Sequence, residues 1–337
     1  VSRFVPPLPV FAQFMDLPLL PGDEVPHAPH LAVSADPWPG VAAVYHSPSA
    51  ANYELLDVFS VASTLGALTE PLAAGPLGVF DRSNTFRVQL TQGALESVPQ
   101  DALLSGSNVA AIGDGSPENW EIIQFQYATL VGENVYEVSH LLRGQAGSDA
   151  LVPAEWPVGA GFVLLDSVPK QLDLVSSTRN VAQYFRVGPS GRSFDDPSYQ
   201  EQVQAFQGIG LRPYAPAHLK GEDISGDLAL TWIRRTRIDG DIWDVPEVPL
   251  GEAFESYRVR IVQGPTVIRE QVVSASAWAY SSAAQQIDGI SEPFEVRVAQ
   301  VSEKFGAGAE AVLAVGERLF LRVWVSRRAA NLGSIHA

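Results

Sequence analysis

The thirty residues from Asn119 to Ser148, NWEIIQFQYATLVGENVYEVSHLLRGQAGS, constrain the fold more than any other stretch. Read at period two, Trp120, Ile122, Gln124, Gln126 and Ala128 share one side, and Glu121, Ile123, Phe125, Tyr127 and Thr129 share the other. Both sides are largely apolar or aromatic, which suits a pleated surface. Gly132-Glu133-Asn134 breaks the run and Val135 to Leu141 resumes it, so a β-hairpin with a three-residue, Gly-containing connection is expected.

Composition agrees with strands. Charged residues make up 18% of the chain and 25 prolines are spread through it, too few charges and too much punctuation for long helices. A length of 337 residues allows two or three domains with separate cores. The net charge of −16, with only three lysines, argues against a nucleic-acid partner, because counterion release needs clustered cations. The absence of cysteine removes disulfides and thiolate zinc sites from consideration. No apolar run reaches the ~18 residues of a membrane helix. The first residue is Val1, which leads us to expect a piece of a longer polypeptide.

After the hairpin comes Leu141-Leu142-Arg143-Gly144-Gln145-Ala146-Gly147-Ser148. Its glycines permit positive φ or close backbone approach, and its arginine can tie the turn down through several hydrogen bonds. This octet resembles the LLRGxxGS/T signature of phage-tail hub and host-specificity proteins, including the large tail-tip protein of gene transfer agents. The wording from Met15 to Gly40, MDLPLLPGDEVPHAPHLAVSADPWPG, resembles the same proteins. From it Trp120, Leu141, Leu142, Arg143, Gly144 and Gly147 are taken as a structural motif.

Residues 1–50 read as an extended, Pro-rich N-terminal stretch with edge strands at Leu31–Ala35 and Val41–Tyr45. His27, His30 and His46 invite a metal site, but Pro26 and Pro29 work against the helix that would align the first two, and no carboxylate or thiolate set joins them. Residues 51–210 read as a β-rich, hub-like region of barrel or sandwich type. Within it, Gly106, Gly113 and Gly115 lack the Lys-Ser/Thr and following helix of a phosphate loop. The runs Val181–Gly188 and Gln202–Phe206 should pair across a long polar tip, where Asp195 and Asp196 point apart and make poor acid/base partners.

From Leu211 the character changes. Leu228-Ala229-Leu230-Thr231-Trp232, Tyr257-Arg258-Val259-Arg260-Ile261, Phe294 to Val301 and Gly306-Ala307-Gly308 resemble a fibronectin type III module over residues 211–316. That resemblance puts Trp232 and Tyr257 between the sheets. The connection from Arg235 to Ser256 is far longer than the ~2–6 residues usual between strands. In it, Trp243 with Asp241 and Asp244 are candidate receptor or partner contacts, through stacking on a sugar ring or docking on a subunit. Calcium is a weaker reading, since the acids lack the spacing of a twelve-residue loop. Residues 317–337 form a basic C-terminal tail, with four arginines and no acid after Glu317.

The expected fold class is all-β: barrel or sandwich hub-like domains followed by a fibronectin type III-like β-sandwich. The resemblance implies a virion or phage-like particle component made in the bacterial cytoplasm and placed at the tail tip or baseplate. It would assemble with other tail subunits, as a homotrimer in the tail, and contact a bacterial surface glycan. No catalytic residue, metal ligand or cofactor is assigned, for the chain shows no nucleophile elbow, no HExxH and no convincing carboxylate pair. The alternative is the non-catalytic C-terminal portion of a secreted cell-wall hydrolase, with Glu118, Glu121, Glu133 and Glu137 flanking the hairpin and any activity lying upstream.

Overall fold

The computed structural model describes residues 9–22, 24–238, 240, 248–290 and 293–316. The chain is all-β apart from short helical turns, and it divides into two compact units, residues 1–211 and 212–337.

The first unit contains, in chain order, β1 (Phe11–Met15), β2 (His30–Ser34), β3 (Ala42–Ser47), β4 (Glu54–Phe59), β5 (Leu65–Leu68), β6 (Leu72–Ala73), β7 (Asp81–Gln92) and α1 (Gln100–Leu104). There follow β8 (Val109–Gly113), β9 (Trp120–Gly132), β10 (Val135–Gln145), β11 (Glu155–Trp156), β12 (Gly161–Leu164), β13 (Lys170–Gln171), β14 (Gln183–Pro189) and β15 (Gln200–Gln204). Six of these close a barrel in the order β10-β7-β5-β12-β8-β9, each neighbouring pair antiparallel. Closure leaves no unpaired edge. Phe86, Phe125 and Phe162 fill its interior with Val88, Leu90, Ile112, Ile123, Val138 and Leu141.

Both faces of the β9 start are covered, but by different things. Ile123 and Phe125 point into the barrel, whereas Trp120 and Ile122 point outward and pack with Ala111 and Val163 against Met15, Leu17 and Ala32. The period-two reading fails further along. Phe125 and Leu141 face the barrel core, yet so do Ala128 and Val138, so the inward face changes parity across Gln126–Tyr127 and across His140. On β10 the change falls at a bulge, where His140 has φ 55° and the β10–β7 register shifts between Ser139 and Leu141; β9 follows in register, Tyr127 opposite Ser139 and Phe125 opposite Leu141. The hairpin loop is also one residue shorter than expected, because Gly132 pairs with Val135 and only Glu133 and Asn134 turn the chain.

Of the remaining strands of this unit, β6 and β11 pair with each other, and the rest form two sheets, β1-β2-β13 and β15-β14-β3-β4, packed over Phe14, Leu31, Val33, Val44, Phe59, Phe185, Val187 and Phe206. The expectation of an extended N-terminal stretch with edge strands is corrected here. β2 and β3 each have a partner on both sides, and the surrounding prolines sit in the connections, where no ladder donor is lost. Lys170 Nζ donates to the Val58 carbonyl at 2.8 Å and Gln202 Nε2 to the Ala12 carbonyl at 3.0 Å, each bridging one sheet to the other.

The second unit contains β16 (Ala217–Ile224), β17 (Asp227–Ile233), β18 (Tyr257–Gln263), β19 (Thr266–Val273), β20 (Ala277–Tyr280), α2 (Ser282–Asp288), β21 (Phe294–Ser302) and β22 (Gly306–Val315). Sheets β16-β17-β20 and β19-β18-β21-β22 make a β-sandwich over Leu230, Trp232, Tyr257, Val259, Ile261, Tyr280, Val296 and Val298. Trp232 and Tyr257 meet edge-on with ring centroids 5.2 Å apart. Burying two such rings contributes several kcal/mol at about 25 cal/mol per Å². α2 starts at Ser281, whose Oγ accepts from the Ala284 amide, and stops at Gly289, φ 65°.

Candidate functional site

The motif around Arg143 is built where β10 leaves the barrel. Leu141 is the last residue of that strand in the barrel core, and strand alternation turns the half-buried Leu142 away from it while Arg143 returns to the buried side. Arg143 is 1% exposed, and the carboxylates of Glu121 and Asp81 are completely buried with it. Its Nε and Nη2 grip Glu121 in a two-pronged contact at 2.6 and 2.8 Å. Nη1 donates to the Ala73 carbonyl at 2.9 Å and stands 3.9 Å from Asp81 Oδ2.

Glu121 is satisfied on both oxygens. Oε1 also accepts from the Gly144 amide at 3.2 Å, and Oε2 from Trp156 Nε1 at 2.7 Å. Asp81 is held by Ser83 and Asn84: Oδ1 accepts from both their amides and the Ser83 hydroxyl, Oδ2 from Asn84 Nδ2 at 2.7 Å. Burial pushes its carboxyl upward, but the bonds from Asn84 and Ser83 outweigh that and hold it below the usual aspartate range. One cluster thereby joins β6, β7, β9, β10 and β11, strands that sequence separation alone would leave far apart.

Two glycines make the turn possible. Gly144 has φ 61°, and a Cβ there would stand 2.6 Å from Asp149 Cα. Gly147, φ 77°, precedes the 3₁₀ turn Ser148–Leu151, and Ser148 Oγ donates to the Gln145 carbonyl while accepting from the Ile122 amide. Trp120 lies on the barrel's outer face with Nε1 on the Ser116 carbonyl at 2.8 Å, its ring lying against Gly113. The motif's arginine was expected to tie its own turn; its main partner is instead Glu121, on the neighbouring strand, and sequence reasoning missed Asp81 and Trp156 as well. Only the period-two position of Glu121, on the face shared with Ile123 and Phe125, signalled an acid inside the structure.

A cluster so closed to solvent can fix backbone but cannot turn over a substrate. Of the acids flanking the hairpin, Glu121 is consumed by Arg143, and Glu137 pairs with Arg87 at the surface. His27 Nε2 meets the Leu174 carbonyl, His30 Nε2 meets Glu24, and His46 Nε2 meets Gln183. Among the described residues no three His, Asp or Glu side chains are grouped to hold a metal ion. Asp195 binds Arg186, and Asp196 accepts from the Ser198 amide and hydroxyl, which lower its carboxyl's pKa. Trp243, Asp241 and Asp244 lie outside the described residues, as does the tail 317–337. No described helix is long and apolar enough to cross a membrane.

Residues 63–163 match the model of a family described as Rcc01698-like, C-terminal. That span runs from the start of the first barrel strand, β5, to the last, β12, and includes the whole Arg143 cluster. No curated protein matches the chain.

Proposed function

We propose that this chain is a structural part of a phage-like tail tip or baseplate, of the gene transfer agent type, which helps assemble the hub and attach the particle to a host cell surface. The observation that carries the reading is an overlap: the family match over residues 63–163 covers the closed barrel, Leu65 to Leu164, but for its last residue, and contains the whole buried LLRGxxGS cluster. The resemblance of the octet to tail-hub proteins supplies the biological setting. A fibronectin type III-like sandwich after such a barrel suits an adhesive extension. The partners are other tail subunits, with the chain as a homotrimer in the tail, and a surface glycan.

Antibody against this chain, bound to particles from producing cells and viewed by negative-stain electron microscopy, should label the tail end. Particles that carry no label there overturn the proposal. Release of reducing sugar from purified peptidoglycan by the chain itself would also overturn the proposal, which assigns the chain no hydrolase activity.

A further inference from the structure

The first unit ends at Leu211, and the residues that lead to that point are held from two sides. On one side stands Asp16, at the end of β1 and 2% exposed. Its Oδ2 accepts from the amides of Gln207 and Gly208 at 2.7 and 2.8 Å, and its Oδ1 from the Ile209 amide at 2.7 Å. These amides stand at the start of the 3₁₀ turn Ile209–Leu211, where backbone donors have no partner within the turn. The carboxylate that satisfies them comes from more than 190 residues earlier, so this is a tertiary contact in the place of a local cap.

On the other side lies the strap of residues 24–29 between β1 and β2. A Cβ on Gly210 would come within 2.5 Å of the Pro26 carbonyl oxygen, and one on Gly208 within 3.3 Å of His27 Cα. The strap is itself pinned. Gln171 accepts from the Val25 amide and donates to the Val25 and Ala28 carbonyls, while Glu24 binds His30 at 2.9 Å and the Leu20 amide at 2.8 Å. Arg179 Nε adds a bond to the Gln207 carbonyl at 2.7 Å.

We propose that Asp16 and the 24–29 strap form a two-sided clamp on residues 207–211, a device that fixes the segment leading out of the first unit independently of the barrel's own stability. Asp16 supplies charge-assisted bonds to three successive amides, and the strap removes the space into which they would open. The inference stands on this geometry and needs no functional assignment.

Hydrogen exchange of the full chain, read peptide by peptide, tests it. In Asp16→Asn the amides of 207–209 should exchange about tenfold faster or more, since a bond to a charged acceptor is worth roughly 1.5–3 kcal/mol, while peptides from β7 keep their wild-type rate. Gln171→Ala, a milder change at the strap, should speed exchange in 24–29 and in 207–211 together. Unchanged exchange at 207–209 in both variants overturns the clamp. So does equal acceleration in β7, which would make Asp16 an ordinary contributor to global stability.

Discussion

Replacing Glu121 by alanine strands a buried arginine, and its cost can be worked from the contacts. The carboxylate serves four donors: Arg143 Nε and Nη2, the Gly144 amide and Trp156 Nε1. An unpaired buried donor costs about 1–3 kcal/mol, more when charged. Relaxation and entering water reduce the sum, and breaking a fully buried ion pair from one side costs about 3–5 kcal/mol. At a slope of about 2 kcal/mol per molar urea, the barrel's midpoint should fall by roughly 1.5–2.5 M. Urea-dependent hydrogen exchange reads the two units separately, so the sandwich is an internal control. The double variant Glu121→Leu with Arg143→Met should recover most of the loss, because apolar groups of similar volume leave nothing unpaired. A shift below about 0.5 M in the single variant, which corresponds to about 1 kcal/mol, would refute the view that this cluster organises the barrel.

Gly144→Ala should cost about 2–4 kcal/mol in the same assay, combining a positive φ with a close approach to Asp149. Trp232→Ala should lower the sandwich's stability by about 3–5 kcal/mol and leave exchange in β7 unchanged, since its contacts lie in the second unit's core. On acidification, Asp81 and Asp288 have folded-state pKa values below their unfolded ones, Asp288 because Arg269 and Tyr280 donate to it. Their contribution is present above about pH 4 and disappears as pH falls through the lowered values, so both units should lose stability in acid-denaturation curves below that point. Tyr199 moves the opposite way: burial and the nearby Tyr45 and Asp196 push it up to about 12. The unfolded chain ionises first, so the stability from Tyr199 is intact below about pH 10 and is lost as pH rises through that folded value; ultraviolet titration at 295 nm should show this phenol ionising late.

Sequence reading recovers what depends on neighbours along the chain and loses what depends on closure. The all-β class, the pairing of β9 with β10 and the pairing of β14 with β15 follow from alternation and turn residues, because both strands of each hairpin are on the page together. Nothing comparable reveals that β10 also pairs with β7, or that β12 joins β5 to β8 and shuts the barrel. The same division runs through the Arg143 cluster. Its glycines are visible as a pattern, since the turn they permit is local. Glu121, Asp81 and Trp156 are not, because they belong to the arginine only after three other strands have been laid side by side. Prolines misled the reading of residues 9–50 for a related reason: they bar a residue from donating to a ladder, but they say nothing of the strands between them, and β2 and β3 are interior. The His140 bulge shows the limit most sharply, for it reverses which residues face the core without any change in composition. A substitution that removed it should therefore act on Val138 and Ala128, which lie beyond the kink, while Leu141 and Phe125 keep their places.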